Sequence, residues 1–455
     1  MPRQYFFSKH TYDNMKKIFL LIAAAILFAA SCSTAPEKSS HAEWTKGSTV
    51  YELNVRQFTP EGTFDAALKR LPIIRNMGID VLWLMPIYPI GELNRKGTLG
   101  SYYAIRDYRA INPEFGTMED FEKFLAQAHE WGFKVIIDWV ANHTSPDHVW
   151  TAEKPADWYV RDENGDFVVE YDWTDIAKLN YGSKEMRAEM ESCMEFWVDK
   201  GVDGFRCDVA YQVPQDFWED AISRLKKKNP ELYFLAEGEE PWLHAAGFDA
   251  TYWWKLHHVM NDIAQGKAGK AELLEVINES LKDYPSDAYR LAFITNHDEN
   301  SWNGTEFERM GKAWRACAVL TCTLPGAQPL IYTGQELGYN KRFEFFEKDP
   351  LPAEHWSNED NIRNIYAFYF DLMNFYHDHP CVQAWSGATF EVMENDYRCI
   401  DDSWLSFNRI LGDDSINVLI HLAEPFETKV SNGAMVVDES AFVDEAAADS
   451  TAHVE

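Results

Sequence analysis

Reactive side chains cluster at the ends of short apolar runs. Asp138 lies in "FKVIIDWV" (133–140), with Asn142 and His143 just beyond it. Arg206 and Asp208 interrupt "VDGFRCDVA" (202–210), and Glu237 closes "LYFLAEG" (232–238). His297 and Asp298 end the run that starts "RLAFITNH" (290–297), and Gln335 and Glu336 end "PLIYTGQE" (329–336). A charge inside an apolar strand is retained only when it is paired or has work to do. Singly, Asp208, Glu237 or Asp298 reads equally well as a helix cap or a surface charge. Together, on three strands and beside Arg206 and two histidines, they read as a reacting set. An arginine two residues from a carboxylate favours its ionised form through a charge-assisted hydrogen bond. A carboxyl crowded by another acid keeps its proton. Such a set can attack with one carboxylate and donate a proton from another.

The elements that must position these groups follow from the pattern. The runs 50–58, 79–87, 133–140, 202–210, 232–238, 248–254, 290–297 and 329–336 are short and nearly continuous in β-branched and aromatic residues, as in a parallel sheet covered on both faces. Amphipathic segments separate them. "TFDAALKRLPIIRNMG" carries Leu68, Leu71, Ile74 and Met77 at helical spacing and closes on Gly78. "TMEDFEKFLAQAHEWG" opens on Thr117, an N-cap candidate, and stops at Gly132. Strand and helix alternating eight times predict an α/β fold, a (β/α)₈ TIM barrel over residues 44–378, which places reacting groups at the carboxyl ends of the strands. The polar stretch 143–182, with a hairpin-like "RDENGDFVV", predicts a small inserted subdomain after strand three. Short alternating runs over 379–440 predict a C-terminal β-sandwich, and 441–455 reads as an acidic tail.

Totals narrow the partners. The chain has 455 residues with 42 Lys+Arg against 73 Asp+Glu, a formal charge of −31. That field repels phosphate backbones, so nucleic acid is excluded as a partner. The 17 Trp, 21 Tyr and 28 Phe suit either a large core or a cleft of flat rings for sugars. Residues 1–43 read as an export segment and tether: Met15-Lys16-Lys17, the apolar run "IFLLIAAAILFAA" and a terminal "SC" form a secretory signal. "AASC" is similar to a bacterial lipobox, which implies lipidation of Cys32 and an exported protein anchored at the outer membrane or in the periplasm. None of Cys193, Cys207, Cys317, Cys322, Cys381 and Cys399 forms a CxxC pair. Cys193 and Cys207 read as buried thiols, whereas Cys317 and Cys322 are spaced for a local bridge. The sequence does not fix an oligomeric state.

"IIDWVANHT", "GFRCDVA", "FLAEGEE" and "FITNHDEN" resemble, in order, four sequence regions of the α-amylase superfamily of glycoside hydrolases. "VYELNVRQFTPEGTF" and "YYAIRDYRAINPEFGTMEDF" fit it too, so the resemblance spans about residues 44–380. It implies that Asp208 is the nucleophile, Glu237 the general acid/base and Asp298 the carboxylate that steadies the transition state. It implies that His143 and His297 bond sugar hydroxyls, that Tyr103 stacks under the sugar, and that Arg206 aims the nucleophile. Asp138 reads as an orienting residue. The implied activity is retaining hydrolysis of α-1,4-glucosidic bonds in starch or maltooligosaccharides. Two alternatives stay open: an α-glucan transglycosylase or other α-glucosidase of the same fold, and a non-catalytic glycan-binding lipoprotein.

Departures from the pattern matter. Tyr211 and Gln212 stand where many starch-cleaving relatives carry a Lys-His pair. Asn142 matches a calcium-ligating residue in many relatives, so the resemblance admits a calcium ion, although the chemistry itself requires no cofactor. Asp162, Asn164 and Asp166 fit a second oxygen cluster or a hairpin turn equally well. His257-His258 reads as solvated or core, and Trp242, Trp254 and Trp302 as sugar platforms or packing.

Overall fold

The computed structural model describes residues 41–384 and 386–431. The expected signal and tether up to residue 40, with Cys32, and the acidic tail lie outside these residues. Eight parallel strands close into a barrel: β1 (Val50–Leu53), β2 (Val81–Leu84), β3 (Lys134–Trp139), β4 (Gly204–Cys207), β5 (Tyr233–Ala236), β6 (Ala250–Tyr252), β7 (Tyr289–Ala292) and β8 (Ala327–Tyr332). Each strand pairs with its neighbour in sequence order, and β8 returns to β1. Every one of the eight apolar runs contributes one strand.

Alternation along the strands sorts side chains into two cores. Val50, Val81, Trp83, Ile136, Tyr233, Leu235, Tyr252, Leu291 and Leu330 fill the barrel interior. The intervening positions, such as Leu82, Ile137, Phe205 and Cys207, pack outward against the helices. Gly204 is required on β4, because a Cβ there would lie 1.9 Å from the Tyr233 carbonyl oxygen. Interior positions toward the carboxyl end carry charge instead: Glu52, Asp138 and Arg206 are buried, with Asp138 and Arg206 paired across β3 and β4.

The helices form for local reasons. Helix Met118–Glu130 starts with a capping box between Thr117 and Asp120, buries Phe121, Phe124, Leu125 and Ala128, and ends before Gly132 at φ 84°. The first predicted helix is two pieces, Phe64–Leu68 and Leu71–Asn76, because Pro72 is tolerated only in a first turn. Cys317 and Cys322 lie on helix Trp314–Thr323, and no disulfide joins them. Five residues apart on one helix, they do not face each other.

The segment after β3 folds as a small excursion. His143–Thr144 pairs with Ala177–Lys178 in a short ribbon, and Arg161 bridges Phe167 around a turn. Asp172, Trp173, Asp175 and Ile176 of this excursion reach a cavity that Asp208 and Glu237, just past β4 and β5, also line. The terminal β region, expected as a sandwich, is one antiparallel sheet as far as Ser431: β9 (Thr389–Val392), β10 (Trp404–Leu411), β11 (Asp414–His421) and β12 (Thr428–Ser431). Its apolar face, with Phe407, Val418 and Ile420, joins the core outside the barrel.

Candidate active site

At the carboxyl end of the barrel a cavity of about 500 Å³ opens, and the three carboxylates singled out in the sequence line it. Asp208 follows β4, Glu237 follows β5 and Asp298 follows β7, with Tyr103, His143 and His297 on the same wall. Strands β4 and β5 are adjacent, and the Glu237 N–H bonds the Cys207 carbonyl at 2.9 Å, which fixes the first two carboxylates side by side.

Arg206 is the hub. Its Nη1 bonds Asp138 Oδ1 at 2.9 Å and Asp208 Oδ1 at 3.2 Å, its Nη2 stands 2.9 Å from Glu237 Oε2, and its Nε donates to the Tyr252 hydroxyl at 3.1 Å. Trp83 and Tyr252 pack against the guanidinium, 4.9 and 5.5 Å from their ring centres. The sequence reading gave Arg206 to Asp208 alone. In the fold it serves three carboxylates, of which Asp208 is not the closest.

That sharing sets the protonation. Burial pushes the Asp208 carboxyl well above the usual carboxylate range, and the Glu237 carboxylate adds to this, while Arg206 opposes both. Burial likewise raises Asp138 and Asp298, against the pull of Arg206 and His297 respectively. Asp298 still shows 37% of its side-chain surface to the cavity. Like charges this close oppose one another's ionisation, and burial acts in the same direction on Asp138, Asp208 and Asp298.

His297 is the second cation. Its Nδ1 lies 2.5 Å from Glu52 Oε1 and its Nε2 3.3 Å from Asp298 Oδ2. Burial acts to lower its pKa, but Asp298 and Glu52 outweigh that and hold it at about 9. His143 differs: burial and Lys178 lower it to about 3, leaving a neutral ring 4.0 Å from Asp208 Oδ2. Tyr103 ties the two halves together, with its hydroxyl 3.1 Å from Asp138 Oδ2 and 2.8 Å from His297 Nε2. Its ring stacks on His297 at 5.4 Å. Asp138 also accepts from Trp83 Nε1 at 3.1 Å, so it orients Arg206, Trp83 and Tyr103 from beneath.

Several contributors escaped sequence reading. Glu52 is a lone acid inside the first apolar run, the same signal that marked Arg206. Val209 has φ 35° and ψ 45°, a left-handed conformation costly for a β-branched residue, and its N–H donates to Glu237 Oε2 at 2.7 Å. Strain next to Asp208 is thus used to aim Glu237. Trp173 from the excursion and Phe345 and Phe346 from the loop after β8 line the cavity, and no spacing rule marks them. Trp302 also lines it, 5.3 Å from Phe345. Trp242 and Trp254 do not; Trp254 packs on Tyr252 and Phe293. His257 is buried and pairs with Glu299 at 3.1 Å.

Asn142 is buried beside Gln212 and His143. Its amide nitrogen donates to Gln212 Oε1 and contacts His143 Nδ1, each at 3.3 Å. Among the described residues no three His, Cys, Asp or Glu side chains gather to hold a metal. Asp162 Oδ1 accepts the N–H groups of Asn164 and Asp166, both at 2.9 Å, which closes a hairpin turn. Tyr211, where a lysine was the family expectation, is 43% exposed.

Comparisons with known proteins place the chain in one family. Residues 33–156 and 151–386 match the family described as Alpha amylase, catalytic domain. Alpha-amylase MalA of Haloarcula japonica is 31% identical over 353 residues, covering 75% of this chain and 50% of that protein. An alpha-1,4-glucan:maltose-1-phosphate maltosyltransferase of Rhodospirillum rubrum is 29% identical, covering 85% of this chain and 57% of that protein. The chain therefore spans about half the length of these curated relatives. A solved structure, the maltogenic alpha-amylase AmyB of Thermotoga neapolitana, superposes with a TM-score of 0.74 at 30% identity, covering 83% of this chain and 86% of that one.

Proposed function

The chain belongs to the α-amylase family of glycoside hydrolases, and from that premise we propose that it cleaves α-1,4-glucosidic bonds of starch or maltooligosaccharides with retention. One observation carries the reading: Asp208 and Glu237 grip neighbouring nitrogens of a single guanidinium at the wall of a sugar-sized cavity. A shared guanidinium favours the ~5–5.5 Å carboxyl separation of a retaining pair over the wider gap that admits an attacking water.

Each residue then has a task. Glu237 gives a proton to the leaving glycosidic oxygen while Asp208 attacks the anomeric carbon, forming a glycosyl ester and releasing the shortened chain. Glu237 next takes a proton from water, whose oxygen displaces Asp208 and restores the enzyme. Sugar hydroxyls entering the cavity replace water around Asp208, and Arg206 compensates the charge of Asp208 before attack and that of Glu237 once its proton has moved to the leaving group. Protonated His297 and neutral His143 flank the scissile unit and donate to its hydroxyls. Asp298, held by His297, faces the positive charge that develops at the anomeric carbon. Tyr103 supplies the flat ring beneath.

The test is the product profile on soluble starch, pullulan and maltotriose, with the anomer of the first product read by NMR. Retention requires the α anomer first, and an initial β anomer overturns the assignment. A second reading, transfer to a sugar acceptor, is favoured by the resemblance to the maltosyltransferase and by aromatic side chains at the cavity mouth. Products longer than maltoheptaose from maltoheptaose alone identify it.

A further inference from the structure

At the end of the barrel opposite the carboxylates lies a second cavity, of about 260 Å³, where the starts of β7 and β8 meet the terminal sheet. We propose that it binds a small oxyanion, a phosphate or a carboxylate, against the guanidinium group of Arg409, with Arg290 on the same lining.

Arg409 sits on the inward face of β10 and is 2% exposed. Its Nη1 donates to the Thr323 carbonyl at 2.9 Å, at the carboxyl end of a helix, and its Nε has no partner. Among the described residues no carboxylate pairs with it, and its titratable neighbours are Cys381 and Tyr376. Burial accordingly drags this guanidinium down to about 10. Arg290, also 2% exposed, lies 3.5 Å over the Tyr284 ring and gives Nη1 to Ser280 Oγ at 3.2 Å, with its Nε again unpartnered. Its acidic neighbours are Glu239, 3.2 Å from Nη2, and Glu279, and Nη2 also donates to the Tyr252 carbonyl at 3.1 Å.

A buried guanidinium without a counter-ion is strongly disfavoured unless something supplies the charge. The lining supplies none: two arginines and no Asp or Glu, in a chain with 73 acidic against 42 basic residues. A neutral sugar would satisfy donors but not charge. An oxyanion does both, because a guanidinium edge presents paired N–H groups that match two oxygens of a phosphate or carboxylate. Ser280, whose Oγ already accepts from Arg290, has its hydroxyl proton left to donate, and Ser286 stands exposed on the cavity wall.

Isothermal titration of the purified protein with inorganic phosphate, glucose 6-phosphate and acetate, at ionic strength matched with chloride, tests the site. The expected result is saturable one-site binding that Arg409→Gln weakens at least tenfold. Arg290 is left intact because it also braces Glu239, two residues from Glu237. Should Arg409→Gln fail to fold, Ser286→Trp fills the cavity from its exposed wall and abolishes binding while the melting temperature stays near that of the parent. Tighter binding of the phosphates assigns the site to phosphate, and tighter binding of acetate assigns it to carboxylates. Absence of saturable binding with all three probes at tens of millimolar, or binding that survives both variants, overturns the proposal.

Discussion

Replacing Glu52 by Gln removes one negative charge from behind His297 and leaves its shape unchanged. The acid is fully buried and its Oε1 lies 2.5 Å from His297 Nδ1. Glutamine keeps an acceptor at that position, so the hydrogen bond persists but loses its charge. The difference between a charged and a neutral hydrogen bond is about 1–2 kcal/mol, and 1.36 kcal/mol corresponds to one pKa unit. His297, now at about 9, should therefore fall by roughly one, to near 8. The imidazolium stabilises the fold fully below its ordinary value of 6.5 and loses that contribution as pH rises through 9, a term on the order of 3 kcal/mol. In Glu52→Gln the same loss should be smaller and complete about one pH unit earlier. Chemical denaturation of both proteins from pH 6 to pH 10, with the His297 Cε1–H resonance followed by NMR, measures it. If the proposed reaction holds, the alkaline limb of starch hydrolysis should move down by the same interval, since protonated His297 holds Asp298. An unchanged midpoint and an unchanged limb would refute the placement of charge at this histidine.

Further outcomes follow from the same geometry. Asp208→Asn and Glu237→Gln should each cut turnover by ~10³-fold or more; near-normal starch hydrolysis by either contradicts its role. Asp208→Asn should at the same time raise the melting temperature above the parent's at neutral pH, because a carboxyl whose folded pKa is raised destabilises the fold once it ionises. Trp302→Ala and Phe345→Ala should raise KM for maltooligosaccharides by roughly 3–10-fold with kcat little changed, the worth of an aromatic face. Asp138→Asn, beneath Arg206, should cut kcat rather than raise KM, and a rise in KM alone would deny it a positioning role.

The barrel was legible because its signals are local. Eight apolar runs each fit one strand, and Thr117 and Gly132 mark helix boundaries through backbone chemistry that needs no partner. Asp208, Glu237 and Asp298 were legible for a related reason: in this fold every strand end reaches the same rim, so position along a strand implies position in the site. What failed to show was anything set by a neighbour distant in sequence. Trp173, Phe345 and Phe346 reach the cavity on irregular loops, where no periodicity records direction. Glu52 looked like one acid in an apolar run until β1 closed the barrel beside β8 and brought it to His297.

Charge state was the furthest from the sequence. The pairing of Arg206 with Asp208 was readable from their spacing, but that one guanidinium answers to Asp138, Asp208 and Glu237 together is a fact of the closed sheet. The residue types and their order along the strands were therefore determined by the sequence itself, since strand alternation and capping act over a few residues. The raised Asp208 carboxyl, the cation at His297 and the lack, among the described residues, of a carboxylate paired with Arg409 were decided only by the tertiary structure, because electrostatic energy depends on distance and burial, and both come from packing remote segments together.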